Sequence, residues 1–196
     1  MQTHTFDLII RGGTLLTMSA DMQIIEDGIV GIMGNRIELV EKNIQPDADK
    51  VIRADGCLVM PGLVNTHAHL PMVCFRGLAD DLTLMDWLEN HIFPMEARFV
   101  DKIMAHDGAM LAIAEMILSG TTTVCDGYFF ENHIARAIQS CGMRTVVAQG
   151  FADFATPDNP DHEKMMAVAE RFAERWKQHA PLVTPAFSRT RRIVRQ

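Results

Sequence analysis

The feature that most constrains the fold is an alternation of helix-like and strand-like segments after Pro61-Gly62. Residues 101–119 carry apolar side chains at helical spacing and end at Gly120, a residue type common at helix C-termini. The β-branched segment 121–125 follows and predicts a strand. The same order returns as helix 131–140 and strand 144–149, then as helix 161–179 and a strand that starts at 182–184. With residues 63–66 as the first strand, this pattern predicts βαβ units and a parallel sheet.

The first sixty residues carry a different pattern, in which short apolar segments are separated by turns. The predicted strands are residues 6–10, 14–18, 28–33, 36–40, 51–52 and 57–60. Gly34-Asn35 is a two-residue hairpin signal because both residues tolerate a positive φ, and Asp55-Gly56 marks another turn. We therefore expect a small β-sandwich or sheet layer over residues 1–61, ahead of the α/β part of the chain.

Composition bounds the class of protein. The 196 residues are 48% hydrophobic, which suits a globular chain with a sizeable core, and the formal charge of −7 argues against a nucleic-acid partner. No apolar segment of the sequence reaches the ~20 residues that span a bilayer, and the N-terminus lacks the pattern of a signal peptide. The four cysteines form no Cys-x-x-Cys pair, so we expect reduced thiols, a cytoplasmic location and no membrane partner.

A pair of histidines gives the strongest chemical signal. His67 and His69 stand at positions i and i+2 around the end of the first predicted barrel strand, so their side chains point to the same face. At the C-terminal mouth of a parallel barrel this face lies inside, and imidazole is the commonest metal ligand among side chains. The His-x-His motif alone is weak evidence for a metal site. Its place after a β-rich segment and before alternating strands and helices makes it a predicted metal site, whereas the histidines at helical positions are expected to be surface or core residues.

The residues around this pair carry a family resemblance. Val59-Met60-Pro61-Gly62-Leu63-Val64-Asn65-Thr66-His67-Ala68-His69 resembles the first barrel strand of the amidohydrolase superfamily. Further motifs narrow the resemblance to the deaminase/chlorohydrolase branch, and within it to the 5′-methylthioadenosine/S-adenosylhomocysteine deaminases. They are Arg76-Gly77-Leu78-Ala79-Asp80-Asp81-Leu82, Asp86-Trp87-Leu88, Pro94-Met95-Glu96 and Ser119-Gly120-Thr121-Thr122-Thr123. The resemblance covers the chain from about residue 7 to about residue 184.

The resemblance implies a composite β-sandwich joined to a metal-dependent (β/α)8 TIM barrel. It implies an enzyme that deaminates an adenine nucleoside by means of a metal-bound hydroxide, with a small purine nucleoside as substrate and ammonia as the leaving group. His67 and His69 match two metal ligands of the family, and a further histidine and an aspartate from later strands complete the set. Zinc is the expected metal, with iron or manganese as alternatives that the later ligands decide.

Two residues match substrate-binding positions of the family. A carboxylate matching Glu96 binds the ribose hydroxyls, since an ionised carboxylate can accept two hydrogen bonds from a vicinal diol; a solvated loop acid is the alternative. Trp87 could stack on the base or the thioether, or serve packing alone. Asp126, at the end of the second predicted strand, stands either behind the site or in a turn. Where some of these deaminases place an arginine, this chain has Gln149, which argues against direct recognition of a carboxylate-bearing substrate.

The barrel predicted over residues 62–186 is incomplete. A (β/α)8 barrel takes ~250 residues, and this chain supplies three βα units and the start of a fourth strand. The family's later histidines, glutamate and aspartate would lie further on, so we expect no group that performs the proton transfers within this chain and no activity of the chain alone. Residues 187–196 stand where the resemblance predicts Pro-His-Ser-Pro-Tyr, which synonymous codons for residues 189–193 encode in a neighbouring frame. We therefore expect residues 187–196 to be an aberrant, frameshifted tail.

The sequence is compatible with two other kinds of function. Triazine chlorohydrolases and guanine deaminases belong to the same branch, and Glu96 discriminates against them only partly, by favouring a ribose-bearing ligand. From a different class, the chain could be a non-catalytic fragment or pseudoenzyme that binds a metal or a partner. A substrate panel and a metal analysis separate these possibilities.

Overall fold

The computed structural model describes residues 5–152 and 154–190. The chain folds as two compact units, and the division between them falls between Pro61 and Gly62. Within the described part of the chain, no helix has the length and apolar character needed to cross a membrane.

The first unit is built from β-strands. In chain order they are β1 (Phe6–Arg11), β2 (Thr14–Leu16), β3 (Ile24–Glu26), β4 (Gly28–Met33), β5 (Arg36–Lys42), β6 (Ala48–Arg53) and β7 (Leu58–Val59). Four of them form a sheet in the order β5-β4-β1-β6, and three form a sheet in the order β3-β2-β7. The β1–β6 and β2–β7 pairs are parallel, and the other pairs are antiparallel. The two sheets agree with the β-layer predicted for this segment.

The predicted hairpin is confirmed, whereas two strands differ from their prediction. Met33 pairs with Arg36 across the turn, and Gly34 has the positive φ of 58° that a two-residue turn favours. The sequence does not predict β3, and it predicts only residues 51–52 of β6. β6 is exposed along most of its length, so it lacks the alternation of apolar and polar residues that marks a half-buried strand.

The second unit alternates strands and helices. Its strands are β8 (Leu63–Ala68), β9 (Thr121–Asp126), β10 (Arg144–Ala152) and β11 (Val183–Thr190). Its helices are α1 (Leu84–Asp86), α2 (Phe93–Phe99), α3 (Lys102–Leu118), α4 (Glu131–Cys141) and α5 (Met165–Trp176). A π-helical turn (Trp87–Ile92) joins α1 to α2, and 3-10 turns cover Leu70–Phe75, His162–Lys164 and Lys177–His179.

The strands of this unit form one parallel sheet in the order β8-β9-β10-β11. The helices α3, α4 and α5 each precede the next strand of the sheet, which is the βαβ connection that the sequence predicts. Among the described residues, the sheet ends at β8 on one side and β11 on the other and does not close into a barrel. The α/β class and the incomplete barrel are therefore as predicted.

Strand β11 extends further than the sequence predicts. Thr145 pairs with Val183 and Ala152 with Thr190, so Phe187 and the residues up to Thr190 continue the strand beside β10. The predicted aberrant tail, residues 187–196, thus begins inside a strand, and residues 191–196 lie outside the described part. Its frameshifted origin stays a prediction.

The core of the second unit forms where the helices pack on the sheet. Asp101 begins α3 as its N-cap, with Oδ1 accepting hydrogen bonds from the N–H of Ile103 at 2.9 Å and of Met104 at 2.8 Å. The helix predicted over residues 161–179 keeps its α-helical form only in α5, because 3-10 turns replace both ends. Fully buried core residues come from α3, β9, α4, β10, α5 and β11: Ile113, Val124, Ile134, Ile138, Val147, Phe172 and Val183.

Candidate active site

His67 and His69 lie together at the C-terminal end of β8. Both side chains are exposed, and their ring centroids are 5.1 Å apart with an interplanar angle of 80°. Because β8 ends at Ala68, His67 belongs to the strand and His69 follows it directly. The structure therefore brings the two predicted ligands side by side at the carboxyl end of a parallel sheet, where the active sites of barrel enzymes form.

A backbone carbonyl sets the orientation of the His69 ring. His69 Nδ1 lies 2.5 Å from the carbonyl oxygen of Gly127, the residue that follows β9. Because a carbonyl oxygen can only accept a hydrogen bond, His69 Nδ1 carries a proton and donates it. In the neutral form of the ring, a proton on Nδ1 leaves the lone pair on Nε2, which is the form in which histidine binds a metal. The Gly127 N–H donates in turn to Ala68 O at 3.3 Å, which ties the ends of the two strands together.

Asp126, the last residue of β9, holds the chain just beyond the histidine pair. Its Oδ1 accepts a hydrogen bond from the N–H of Leu70 at 2.7 Å, and the residue is only 3% exposed. Burial raises the pKa of Asp126 to about 7, against the opposing effect of hydrogen bonds from the backbone. The sequence leaves two alternatives for Asp126, a position behind the site or a place in a turn, and the structure supports the first.

Glu96 is a buried residue of α2 that accepts a hydrogen bond from Tyr128. The Tyr128 hydroxyl donates to Glu96 Oε1 at 2.7 Å, and Glu96 is 7% exposed. The alternative of a solvated loop acid is therefore wrong. Burial raises the pKa of Glu96, and the hydrogen bond from Tyr128 opposes this rise because it favours the ionised carboxylate.

Tyr128 links the two predicted parts of the site, although the sequence alone does not single it out. Its ring centroid lies 5.9 Å from that of His69, and its hydroxyl contacts Glu96. One signal for it exists in the sequence: Tyr128 stands two residues after Asp126, which ends a predicted strand, and strand ends of a parallel barrel form its site. A tyrosine after a strand is too common a feature to be selected before the fold is known.

Trp87 is placed on the same helical segment as Glu96 but outside the network of contacts. It begins the π-helical turn between α1 and α2 and is half-buried. Within the described residues, neither a hydrogen bond nor a ring contact joins Trp87 to the histidine pair or to Glu96. A role in binding substrate therefore stays a prediction for this residue.

Gln149 stands where the resemblance of the sequence implies an arginine in some deaminases. Its side chain is buried in β10, and Nε2 donates to Gly150 O at 3.3 Å. Arg144 begins the same strand, about 16 Å from Gln149 at ~3.3 Å per residue. Arg144 therefore lies too far away to place a cation near Gln149, and it begins β10 at the end opposite to the C-terminal ends of the strands.

The described residues can supply two of the ligands of a catalytic zinc site. Among them, no group of three or more histidine, cysteine, aspartate or glutamate side chains is arranged to hold a metal ion. A catalytic zinc site uses three protein ligands and a water molecule. The residues present nevertheless fit such an ion, because two imidazoles lie side by side and the hydrogen bond at Nδ1 leaves Nε2 of His69 free.

Removing the Tyr128 hydroxyl is expected to raise the pKa of Glu96 further. The hydroxyl donates to the carboxylate, so Tyr128→Phe destabilises the ionised form while the burial of Glu96 remains. Burial already raises the pKa of Glu96 above the usual 4.5. In a window of pH above that value, Glu96 therefore keeps its proton in the folded chain but has lost it in the unfolded chain. The contribution of Glu96 to stability therefore falls as pH rises through this window, and the variant should widen the window upward.

A carbon-13 NMR titration of the Glu96 carboxyl measures this change. The resonance that disappears in Glu96→Gln identifies the group, and the titration is compared between the original chain and Tyr128→Phe. A pKa of Glu96 that is unchanged or lower in Tyr128→Phe would show that the hydroxyl does not stabilise the carboxylate.

The sequence matches proteins of known family. Residues 58–189 match the model of the Amidohydrolase family. A 5-methylthioadenosine/S-adenosylhomocysteine deaminase 1 from Syntrophus aciditrophicus is 43% identical over 174 residues, which cover 87% of this chain and 39% of the relative. A 5′-deoxyadenosine deaminase from Methanosarcina mazei is 39% identical over 171 residues, with the same coverage of 87% and 39%. The chain thus spans about two fifths of the length of these curated relatives.

Solved structures share the fold. The crystal structure of an adenosine deaminase from Xanthomonas campestris with bound zinc superposes with a TM-score of 0.90 at 33% identity, over 94% of this chain and 43% of that chain. A triazine hydrolase from Arthrobacter aurescens reaches 0.82 at 20% identity, over 93% of this chain and 46% of that chain, which shows likeness of fold alone. The family model covers more than half of the chain, and the histidine pair ends the first strand of the parallel sheet. The chain therefore belongs to the amidohydrolase family.

Proposed function

We propose that this chain is the N-terminal part of a metal-dependent hydrolytic deaminase of adenine nucleosides modified at the 5′ position, with 5′-methylthioadenosine as the expected substrate. The observation that carries the proposal is the hydrogen bond between His69 Nδ1 and Gly127 O, which leaves Nε2 of His69 free beside His67. The substrate class is supported by the relatives named as deaminases of 5-methylthioadenosine/S-adenosylhomocysteine and of 5′-deoxyadenosine.

His67 and His69 would hold the metal together with ligands from later strands of a complete barrel. Zinc is the expected ion, which the zinc in the Xanthomonas campestris adenosine deaminase supports; iron and manganese remain chemical alternatives. When bound, such an ion lowers the pKa of its water to about 7 and so supplies the nucleophile for hydrolysis. The role of this chain in metal binding would be to present two imidazoles, one of them held in a fixed tautomer by Gly127.

Glu96 would bind the ribose of the substrate. Tyr128 donates to Oε1, so Oε2 remains to accept hydrogen bonds from the sugar hydroxyls. Because the carboxyl group is buried, a hydrogen bond to it is stronger than the same bond in water. Trp87, on the same helical segment, would add an aromatic face for the base or the thioether.

The 5′ group of the preferred substrate is expected to be uncharged. Gln149 is a buried neutral amide in β10, at the position where the sequence resemblance implies an arginine in some deaminases, and Arg144 begins the same strand five residues earlier. A carboxylate on the substrate would lose a charge-assisted hydrogen bond at this position. We therefore expect methylthioadenosine to be a better substrate than S-adenosylhomocysteine.

The 196-residue chain alone is expected to be inactive. Two imidazoles are fewer than the three protein ligands of a catalytic zinc site, so they would bind the ion weakly. The other residues that the chemistry needs would come from the part of the relatives that this chain does not span. This expectation applies to the chain by itself and not to the complete protein.

We infer a cytoplasmic location from the cysteines. Cys57, Cys74, Cys125 and Cys141 are all free thiols. The cytosol keeps thiols reduced, whereas oxidising compartments favour their pairing into disulfides.

A substrate panel on a completed chain tests the proposed function. The completed chain is residues 1–186 followed by the part of the Syntrophus aciditrophicus relative that lies after its counterpart of Ala186. Ammonia release should be fastest with methylthioadenosine and slower with S-adenosylhomocysteine, while guanine should release no ammonia and a chlorotriazine no chloride. The relative itself, assayed in parallel, controls for the contribution of the added segment.

Other outcomes of the panel would reject the nucleoside proposal. Chloride release would assign the chain to the triazine hydrolases, and ammonia from guanine alone would assign it to the guanine deaminases. Zinc binding without turnover of any compound would support a non-catalytic role. The buried Glu96 held by Tyr128 argues against the triazine and guanine substrates, because neither offers a diol to this carboxylate.

A further inference from the structure

Glu131 is a carboxyl group with 0% exposure at the first position of α4. Its Oε1 accepts a hydrogen bond from the N–H of Tyr128, so the side chain turns back over the segment that precedes its own helix. Between them stands Phe130 with a φ of 60°, which is rare for a bulky residue. The N–H of Phe130 donates to Asp158 Oδ2 at 2.9 Å. Two carboxyl groups therefore hold residues 127–130 in a conformation that costs free energy.

The loop 127–130 carries two contacts that orient the candidate site. The carbonyl of Gly127 accepts from His69 Nδ1, and the hydroxyl of Tyr128 donates to Glu96. The Gly127 carbonyl and the Tyr128 N–H belong to the same peptide group. Because a trans peptide is planar and its C=O and N–H point in opposite directions, a group that fixes the N–H also fixes the direction of the C=O.

We propose that Glu131 is a positioning residue that sets the tautomer of His69 through the peptide between Gly127 and Tyr128. Glu131 holds the N–H of this peptide, and His69 is bound to its carbonyl on the opposite side. Rotation of the peptide would withdraw the carbonyl from Nδ1, and the His69 proton would no longer be directed to that nitrogen. The link to a metal rests on the proposed function, whereas the tautomer of His69 does not.

The charge state of Glu131 points to the variants that test this role. Burial raises the pKa of Glu131 well above its usual value, and the neighbouring Asp126 adds to the rise. The neutral acid keeps a carbonyl oxygen that can accept from Tyr128, and glutamine has the same shape and the same acceptor. Glu131→Gln should therefore preserve the contact, and Glu131→Ala should remove it.

Nitrogen-15 NMR of the histidine rings in the 196-residue chain tests the proposal without metal or substrate. The resonances that disappear in His69→Ala identify the ring. In the original chain and in Glu131→Gln, His69 should carry its proton on Nδ1. In Glu131→Ala the tautomer ratio should shift about fivefold toward the Nε2–H form, which corresponds to a net hydrogen bond of about 1 kcal/mol. Glu170→Ala removes an exposed glutamate from α5 and is the matched control, with no shift expected.

An unchanged His69 tautomer in a folded Glu131→Ala chain would overturn the proposal. Circular dichroism checks the folding of each variant. If Glu131→Ala does not fold, hydrogen exchange of the Tyr128 amide in the original chain decides instead. Protection of this amide supports the hydrogen bond to Glu131, and exchange at the rate of an exposed amide overturns the proposal. If the substrate panel is negative but the tautomer shifts as expected, the proposed deaminase function is rejected and the role of Glu131 is kept. If the panel is positive but the tautomer does not shift, the role of Glu131 is rejected and the proposed function is kept.

Discussion

Replacing both His67 and His69 by alanine in the completed chain is expected to lower kcat/KM for methylthioadenosine about a thousandfold, equivalent to about 4 kcal/mol of transition-state stabilisation. The two imidazoles lie side by side with centroids 5.1 Å apart, and alanine removes both from the proposed metal site. Without the metal, the attacking water loses its source of activation. Ammonia release at low substrate concentration measures the change directly.

His106→Ala is the control for this experiment. His106 is half-buried on α3, away from the histidine pair in sequence, and its Nδ1 is 2.8 Å from Asp107 Oδ1. Its removal should change kcat/KM by no more than about twofold, as is usual for surface substitutions. A double-alanine variant at His67 and His69 that retains about a tenth of the activity or more would show that the pair does not hold the catalytic metal.

The largest effect on stability is expected for Phe172→Ala in the helix α5. Phe172 is 1% exposed, and its ring centroid lies 6.5 Å from that of Trp176 on the same helix. The substitution removes a buried ring from the core between α5 and the sheet and leaves a cavity, so the free energy of unfolding should fall by about 3–5 kcal/mol. Urea denaturation followed by circular dichroism measures this loss in the 196-residue chain.

Met166→Ala provides a comparison on the same helix. Met166 is half exposed, and alanine has a high helix propensity, so the free energy of unfolding should change by less than about 0.5 kcal/mol. A loss below about 1 kcal/mol for Phe172→Ala would mean that α5 does not pack on β10 and β11 as described.

The α/β fold is predictable from the sequence because its signals are local. The apolar spacing of α3 and the stop at Gly120, which has a φ of 83°, define a helix without knowledge of its neighbours. β6 shows the opposite case. It is exposed along most of its length and is a strand because β1 pairs with it, so its own residues indicate only the short segment 51–52.

The candidate site likewise contains residues that the sequence predicts and residues that only the fold reveals. His67 and His69 are two residues apart, so strand geometry alone predicts that they lie together. Glu96 and Tyr128 are 32 positions apart, and only the packing of α2 near the end of β9 brings them into contact. The group that Gly127 contributes is a backbone carbonyl, which any residue type would supply, so no residue pattern marks it.

Glu131 shows why an acid at a helix start is not recognised as part of a site. Negatively charged residues are common in the first turn of a helix, where the helix dipole favours them. The sequence therefore offers an ordinary explanation for Glu131. Its complete burial and its contact with the Tyr128 N–H become evident only in the folded chain.

The zinc content of the completed chain tests the central claim, that His67 and His69 hold the catalytic metal, most directly. After loading with zinc and removal of the excess, the completed chain should retain about one zinc ion, as should His106→Ala. The variant with His67→Ala and His69→Ala should retain close to none. A double-alanine variant that still holds about one zinc ion per chain would contradict the claim.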